Sequence, residues 1–265
     1  MTTRRTQSRP PAALVGLAAV GALLFALPLA GLLGRTPWTD LPDLLTEPAV
    51  LDALRLSLIT SLLAALLSLV LGVPLAWVLA RVDFPGRSAV RALVTLPMVL
   101  PPVVGGAALL FAFGRQGLLG ETLYEKTGFL LPYSMWGVVM ANTFVALPFL
   151  VITVEGALDN LDPRVEQAAA TLGAGRWAVF RYVTLPMIGP SLAAGLVLAW
   201  ARALGEFGAT ITFAGNTQGR TQTLPLSVFV TLQSDRDTAV ALSLVLVAIS
   251  FTVLVVLRDR WWGRR

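Results

Sequence analysis

Six stretches of the chain carry few or no charges over about twenty residues: roughly 12–34, 54–80, 92–113, 135–154, 186–204 and 238–257. Each approaches the ~20 apolar residues that one helical membrane crossing needs. The pattern therefore predicts an all-α integral membrane protein with six transmembrane helices in a single transmembrane domain, residues 1–265. The first stretch, Ala12 to Gly34, also has an alternative reading as a cleaved signal peptide. It is long for such a segment and no clear cleavage site follows it, so a retained first span is expected.

The spans differ in internal character. Arg55 opens the second and can snorkel to the interface, and Pro74 is expected to kink it near its end. The third is interrupted by Pro97, Pro101, Pro102 and then Gly105-Gly106. Freed carbonyls in such a segment need neighbouring helices or a water-lined cavity. The interruption suits a broken helix along a transport route, as transporters use, and equally a kinked packing helix. The fourth span holds Pro148. The fifth starts at Pro186 and stays uncharged to Ala201, after which come Arg202 and Glu206. On a helix from Pro186, Arg202 lies about 24 Å in. An ionisable residue at that depth is functional or paired. Glu206, four residues on, would share its helix face. The pair reads as a gate or as a self-neutralising packed pair. For an anionic substrate Glu206 would be repulsive, so Arg202, Thr210 and Thr212 are the better transient contacts. Gly205, Gly208 and Gly215 permit helix breaking, and Thr221 to Pro225 reads as a turn before the last span.

Residues 35–52 and 114–133 read as polar loops, with Trp38 at headgroup depth. Residues 162–186 form a polar, Arg-bearing island between two apolar runs. Asp162 suits a helix N-cap and Pro163 the first helical position. Val165, Ala168, Ala169 and Leu172 then share one face. Gly173 and Gly175 supply a stop and a turn, and a second short helix carries Trp177 and Phe180. A pair that small cannot bury its own apolar face, so a partner surface is expected.

Composition narrows the function classes. The chain has 265 residues, 56% hydrophobic and 13% charged, against about 25% charged for a soluble domain. It has no Cys and no His. Disulfides, thiol chemistry, the commonest general base and the commonest zinc ligand are gone, so neither catalytic nor metal residues are expected. The net charge of +5 does not point to nucleic acid, because the basic residues gather at the ends of the spans. Thirteen fall on one side: Arg4, Arg5, Arg9, Arg81, Arg87, Arg91, Arg164, Arg176, Arg181, Arg258, Arg260, Arg264 and Arg265. Five fall on the other: Arg35, Arg115, Lys126, Arg220 and Arg236. The basic side is the cytoplasm. It then holds both termini and the 162–186 island. No Gly-x-x-x-x-Gly-Lys-Ser/Thr occurs, so no P-loop nucleotide site is expected in this chain.

The island carries a resemblance. Glu166, Ala168-Ala169, Gly173, nine further residues and Val183-Thr184-Leu185-Pro186 resemble the EAA loop of permease subunits of bacterial ABC importers. Val183 stands where that family more often has Ile. The resemblance implies a type I ABC importer permease-like fold, with residues 162–186 as a cytoplasmic coupling loop. Glu166, Ala168, Ala169, Gly173, Leu185 and Pro186 would then dock into a groove of a separate ATPase. A second stretch sharpens it. Ala201 to Thr210, then Ala214-Gly215-Asn216 and Gly219 to Pro225, look like molybdate permease subunits, and residues 97–102 resemble a segment of the molybdate and sulfate permeases. This implies a homodimer with the route between two copies, two ATPase subunits holding ATP and Mg, and an extracytoplasmic oxyanion-binding protein. It also implies the bacterial cytoplasmic membrane as the location. Pro101, Pro102, Arg202, Glu206, Thr210, Thr212 and Asn216 are the candidate pathway or gate residues. The substrate would be molybdate or tungstate, with sulfate or thiosulfate as the alternative. An ATP-independent channel or secondary carrier is the rival in another class, and it would need no ATPase partner.

Overall fold

The computed structural model describes residues 11–262, without the side chains at 254 and 256–262. Arg4, Arg5, Arg9, Arg264 and Arg265 of the charge pattern lie outside the described residues, as do the side chains of Arg258 and Arg260. Every regular element among the described residues is helical. The long first helix is α1 (Ala12–Gly34), followed by short α2 (Leu41–Thr46) and long α3 (Pro48–Arg81). Then come α4 (Arg87–Val99), α5 (Pro102–Phe113), α6 (Gly120–Thr127) and α7 (Met135–Asp159). The island forms α8 (Pro163–Thr171), α9 (Arg176–Val179), a π turn (Phe180–Thr184) and α10 (Leu185–Met187). The chain closes with α11 (Gly189–Leu204), α12 (Gly208–Phe213), α13 (Leu224–Thr231) and α14 (Arg236–Trp262).

Four of these, α1, α3, α7 and α14, are long and apolar enough to cross a membrane, and the bent pair on either side of Ile188 makes a fifth. The third predicted span is two helices. Leu100 is extended (ψ 133°) and Pro101 begins a new segment, because a residue before proline is pushed out of the α region. Pro102 then takes the first turn of α5, where its missing N–H costs nothing. Pro97 and Gly105-Gly106, also expected to interrupt this span, remain inside α4 and α5.

The start of the fifth span differs from its prediction too. The straight helix begins at Gly189, and residues Arg176–Met187 meet it at 73°. Pro190 cannot donate to the carbonyl of Pro186, and Pro186 cannot donate to that of Tyr182, so the helix widens into a π turn and then bends. The stretches read as loops contain α2, α6 and α13, the last where Thr221 to Pro225 suggested only a turn.

Packing centres on α7. Leu150, Val151, Val154 and Leu158 on α7 bury against Val73, Ala76 and Leu79 of α3 and against Ala199 and Ala203 of α11. A second cluster joins Ala141 and Val145 of α7 to Leu109 of α5 and to Ala209 and Phe213 of α12. A third joins Val50 and Ala53 of α3 to Leu224 of α13 and Leu242 of α14. Buried hydroxyls pin the helices. The Leu224 amide donates to Ser57 Oγ at 2.7 Å, and the Trp200 indole donates to Ser61 Oγ at 3.0 Å. Such bonds stabilise helix association where lipid supplies no hydrophobic drive. Helix α1, by contrast, buries no residue at all.

Candidate coupling and translocation sites

The island folds largely as its residues dictate. Asp162 accepts a hydrogen bond from the Arg164 amide at 2.9 Å, and Pro163 takes the first position of α8. Gly173 has φ +89°, the left-handed conformation that ends the helix. Gly175 then caps α9. Val165, Ala168 and Leu172 are exposed, and Leu172 keeps 89% of its surface free. Ala169 is half-buried. An apolar strip of α8 thus stands clear of the rest of the chain. Leu185 packs against the α3–α7–α11 core, while Pro186 is exposed at the bend.

Glu166 points the other way, toward the body of the protein. Thr184, buried in the π turn, donates to its Oε1 at 2.6 Å, and Arg81 Nη2 at the end of α3 lies 3.3 Å from Oε2. One carboxylate therefore joins α8 to both α3 and the root of the fifth span. Arg81 is a residue that sequence reasoning saw only as one member of a basic connector. These three residues help line a cleft of about 550 Å³, with Trp77, Gln167 and Phe180 on its walls. A second ion pair stands nearby: Arg91 on α4 donates through Nε to Glu155 of α7 at 2.9 Å, with Glu155 buried.

Most of the candidate pathway residues lie together at a different place. Arg202 Nη2 lies 2.6 Å from Glu206 Oε2. The pair is not on one helix, however. Helix α11 ends at Leu204, and Glu206 sits in the turn beyond it. Its other oxygen accepts the Ala209 amide at 2.7 Å, which caps the start of α12. The straight helix starts at Gly189, so Arg202 stands about 20 Å along it. Glu206 keeps 1% of its side chain exposed and Arg202 29%, so the cation retains an open edge while the anion is sealed.

Helix α12 seats against the break in the third span. A Cβ on Gly208 would stand 2.7 Å from Pro102 Cβ, and one on Gly106 would stand 2.7 Å from the Ala209 carbonyl. Only glycine at both positions allows that approach. Pro102 and the 202–212 stretch are thereby brought together, with Pro101 exposed beside them. Thr210 is buried and donates to Asn142 Oδ1 of α7 at 3.3 Å. Thr212 is half-buried and donates to the Gly208 carbonyl at 2.9 Å. Asn216 is exposed beyond α12 and makes no side-chain hydrogen bond to this group among the described residues. Asn142 was missed from sequence, although an amide inside an apolar span is itself a signal. No cluster of three or more acidic side chains suited to a metal occurs among the described residues.

The arrangement leaves an apolar strip of α8 exposed and sets the break between α4 and α5 beside the paired Arg202 and Glu206. Residues 68–265 match the family described as binding-protein-dependent transport system inner membrane component. The molybdenum transport system permease protein ModB of Mycobacterium tuberculosis is 48% identical over 242 residues, 91% of either chain. The sulfate transport system permease protein CysT of Escherichia coli is 39% identical over 88% of this chain and 85% of its own. In three dimensions, a bacterial ABC transporter involved in import of the acidic polysaccharide alginate superposes with a TM-score of 0.75. That match has 20% identity and covers 96% of this chain and 95% of its own, so it speaks to the fold alone. This chain belongs to the inner membrane component family of binding-protein-dependent transport systems.

Proposed function

We propose that this chain is the permease subunit through which an ABC importer moves a tetrahedral oxyanion, molybdate or tungstate, into a bacterial cytoplasm. One observation carries the reading. The 48% identity to a molybdenum permease extends over 91% of both chains, and the family match runs through the island and the 202–216 stretch alike. Sulfate is the second reading, favoured by the 39% identity to a sulfate permease.

In this proposal six spans cross the membrane, with α4 and α5 together forming the sixth crossing. Both termini and residues 162–186 face the cytoplasm, as the Arg and Lys distribution favours. Two copies enclose the route, two ATPase subunits bind ATP and Mg, and an extracytoplasmic protein delivers the anion. The apolar strip of α8, with Ala168, Ala169 and the Gly173 turn, docks into the ATPase. Glu166 works from behind that strip. Its contacts with Arg81 and Thr184 make α8 move together with α3 and the bent root of α11. ATP-driven closure of the partner then biases a two-state equilibrium between outward- and inward-open arrangements.

Along the route, Arg202 supplies a cationic edge already balanced by Glu206. An anion can brush such a centre without being held tightly, and selectivity rests with the binding protein. Thr210 and Thr212 already spend their hydroxyl protons on Asn142 and Gly208. They can therefore contribute to a passing oxyanion only by rotating. Vesicles holding the permease, ATPase and binding protein test the proposal through labelled molybdate uptake. Uptake that requires ATP and is suppressed by tungstate, and only weakly by sulfate, is expected. Uptake persisting without the ATPase would establish the carrier reading instead.

A further inference from the structure

The outer side of α3 leads into a feature that the coupling and transport roles leave unused. Leu67, Leu71, Pro74 and Val78 follow one another at helical spacing and are all exposed. This apolar strip ends in a crevice of about 370 Å³ lined by Pro74, Trp77, Val78, Arg176, Trp177 and Phe180. The Phe180 ring stands edge-on to Trp77 with centroids 6.3 Å apart, and 5.6 Å from that of Trp177. The walls are aromatic or aliphatic, and the sole charge is Arg176. Carboxylates border the neighbouring cleft, but Asp83 is paired with Arg87 and Glu166 with Arg81. Arg176 makes no ion pair within 4.0 Å among the described residues. The segment carrying Arg176 and Trp177 lies at 73° to α11, and Arg176 lines the neighbouring cleft together with Arg81 and Val82 at the end of α3. Trp177 is 73% exposed there.

We propose that this crevice binds one anionic phospholipid of the cytoplasmic leaflet. An acyl chain would lie along Leu71, Pro74 and Val78 against the Trp77 and Phe180 rings, with the phosphate on Arg176. Charge complementarity selects the occupant. A lone interfacial cation above an apolar slot matches a phosphate above a hydrocarbon chain, and basic pockets at this depth favour anionic head groups. Aromatic rings suit the same boundary. The inference rests on the proposed orientation, which puts the end of α3 at the cytoplasmic surface. A bound lipid would brace the root of the lever against the membrane.

The test uses the full chain in nanodiscs, with brominated-chain phosphatidylglycerol or brominated phosphatidylcholine titrated into unlabelled lipid. Seven tryptophans contribute fluorescence, so the Trp177 signal is taken as the difference between the parent and Trp177→Phe, with Trp77→Phe as a second reporter. Half-maximal quenching by phosphatidylglycerol is expected at about fivefold lower mole fraction than by phosphatidylcholine, the weight of one interfacial cation. Arg176→Gln should erase that preference while leaving quenching itself in place. Equal quenching by the two lipids in the parent overturns the proposal. So does loss of both signals when the ATPase is added, which would make the crevice a protein interface. Leu172→Cys, placed in a chain that has no other Cys, reports orientation separately. Labelling from outside would refute the topology irrespective of the lipid result.

Discussion

The Arg81–Glu166 contact gives the most direct test of the proposed lever. Each side chain keeps about a fifth of its surface, 20% and 19%. Fully exposed pairs contribute about 0.2–1 kcal/mol, whereas breaking a buried pair costs about 3–5 kcal/mol. The geometry argues for the lower half of that interval. Nε and Nη2 of Arg81 find no hydrogen-bond partner among the described residues, so the contact is Coulombic rather than bidentate. About 1–2 kcal/mol is therefore expected, a factor of about 5–30 in the docked population of α8. Glu166→Gln removes the charge while keeping an acceptor for Thr184. Arg81→Gln removes the other partner. Amide exchange over residues 167–172 should accelerate by about that factor in each single variant. The double variant should add little to either, giving an interaction energy of about 1–2 kcal/mol in the cycle. Uptake per ATP hydrolysed should fall in parallel, since an undocked α8 slips against α3. If exchange in α8 stays within about twofold of the parent in both single variants, the latch does not exist.

Three further outcomes follow from the geometry. Gly173→Pro demands φ near −65° where the chain has +89°. Membrane insertion should persist while ATP hydrolysis and uptake uncouple, and normal uptake would defeat the lever. Gly208→Ala forces its Cβ to 2.7 Å from Pro102. A stability loss of about 1–3 kcal/mol should appear as a lower Tm in detergent, and an unchanged Tm would mean that α5 and α12 are not locked. Asp235 caps α14, and the Thr238 hydroxyl, followed by its amide, holds this carboxyl below the ordinary aspartate range. A depressed folded value stabilises above the unfolded pKa of about 3.9 and is lost as pH falls through the folded one. Asp235→Asn should therefore lower Tm at neutral pH, and the gap should narrow as pH falls below the unfolded value. A gap independent of pH would exclude the carboxylate as its source.

Local chemistry made part of this architecture legible. Asp162, Pro163 and Gly173 specify the ends of α8 within a dozen residues, and the structure follows them. The break of the third span was foreseen from its prolines, but not its placement. Pro97 is tolerated inside α4, since neighbouring helices decide which carbonyls are freed. The bend at Ile188 depends on Pro186 and Pro190 acting together four residues apart. Arg202 and Glu206 were correctly coupled by spacing, yet Glu206 sits off the helix and caps α12, which needs the backbone path to see. Arg81 and Glu166 are separated by most of the intervening fold, and no periodicity links them. The same holds for Gly106 and Gly208, whose lack of side chains has meaning only once two helices touch.

Helix α1 sets a different kind of constraint from its neighbours. With none of its side chains buried among the described residues, no jigsaw partner among them dictates which aliphatic residue stands where. Mutational scanning should find this segment permissive to almost any exchange among Leu, Val, Ala and Phe. An arginine or aspartate near its midpoint should be rejected sharply. Its spelling is free to drift so long as its oiliness and length do not.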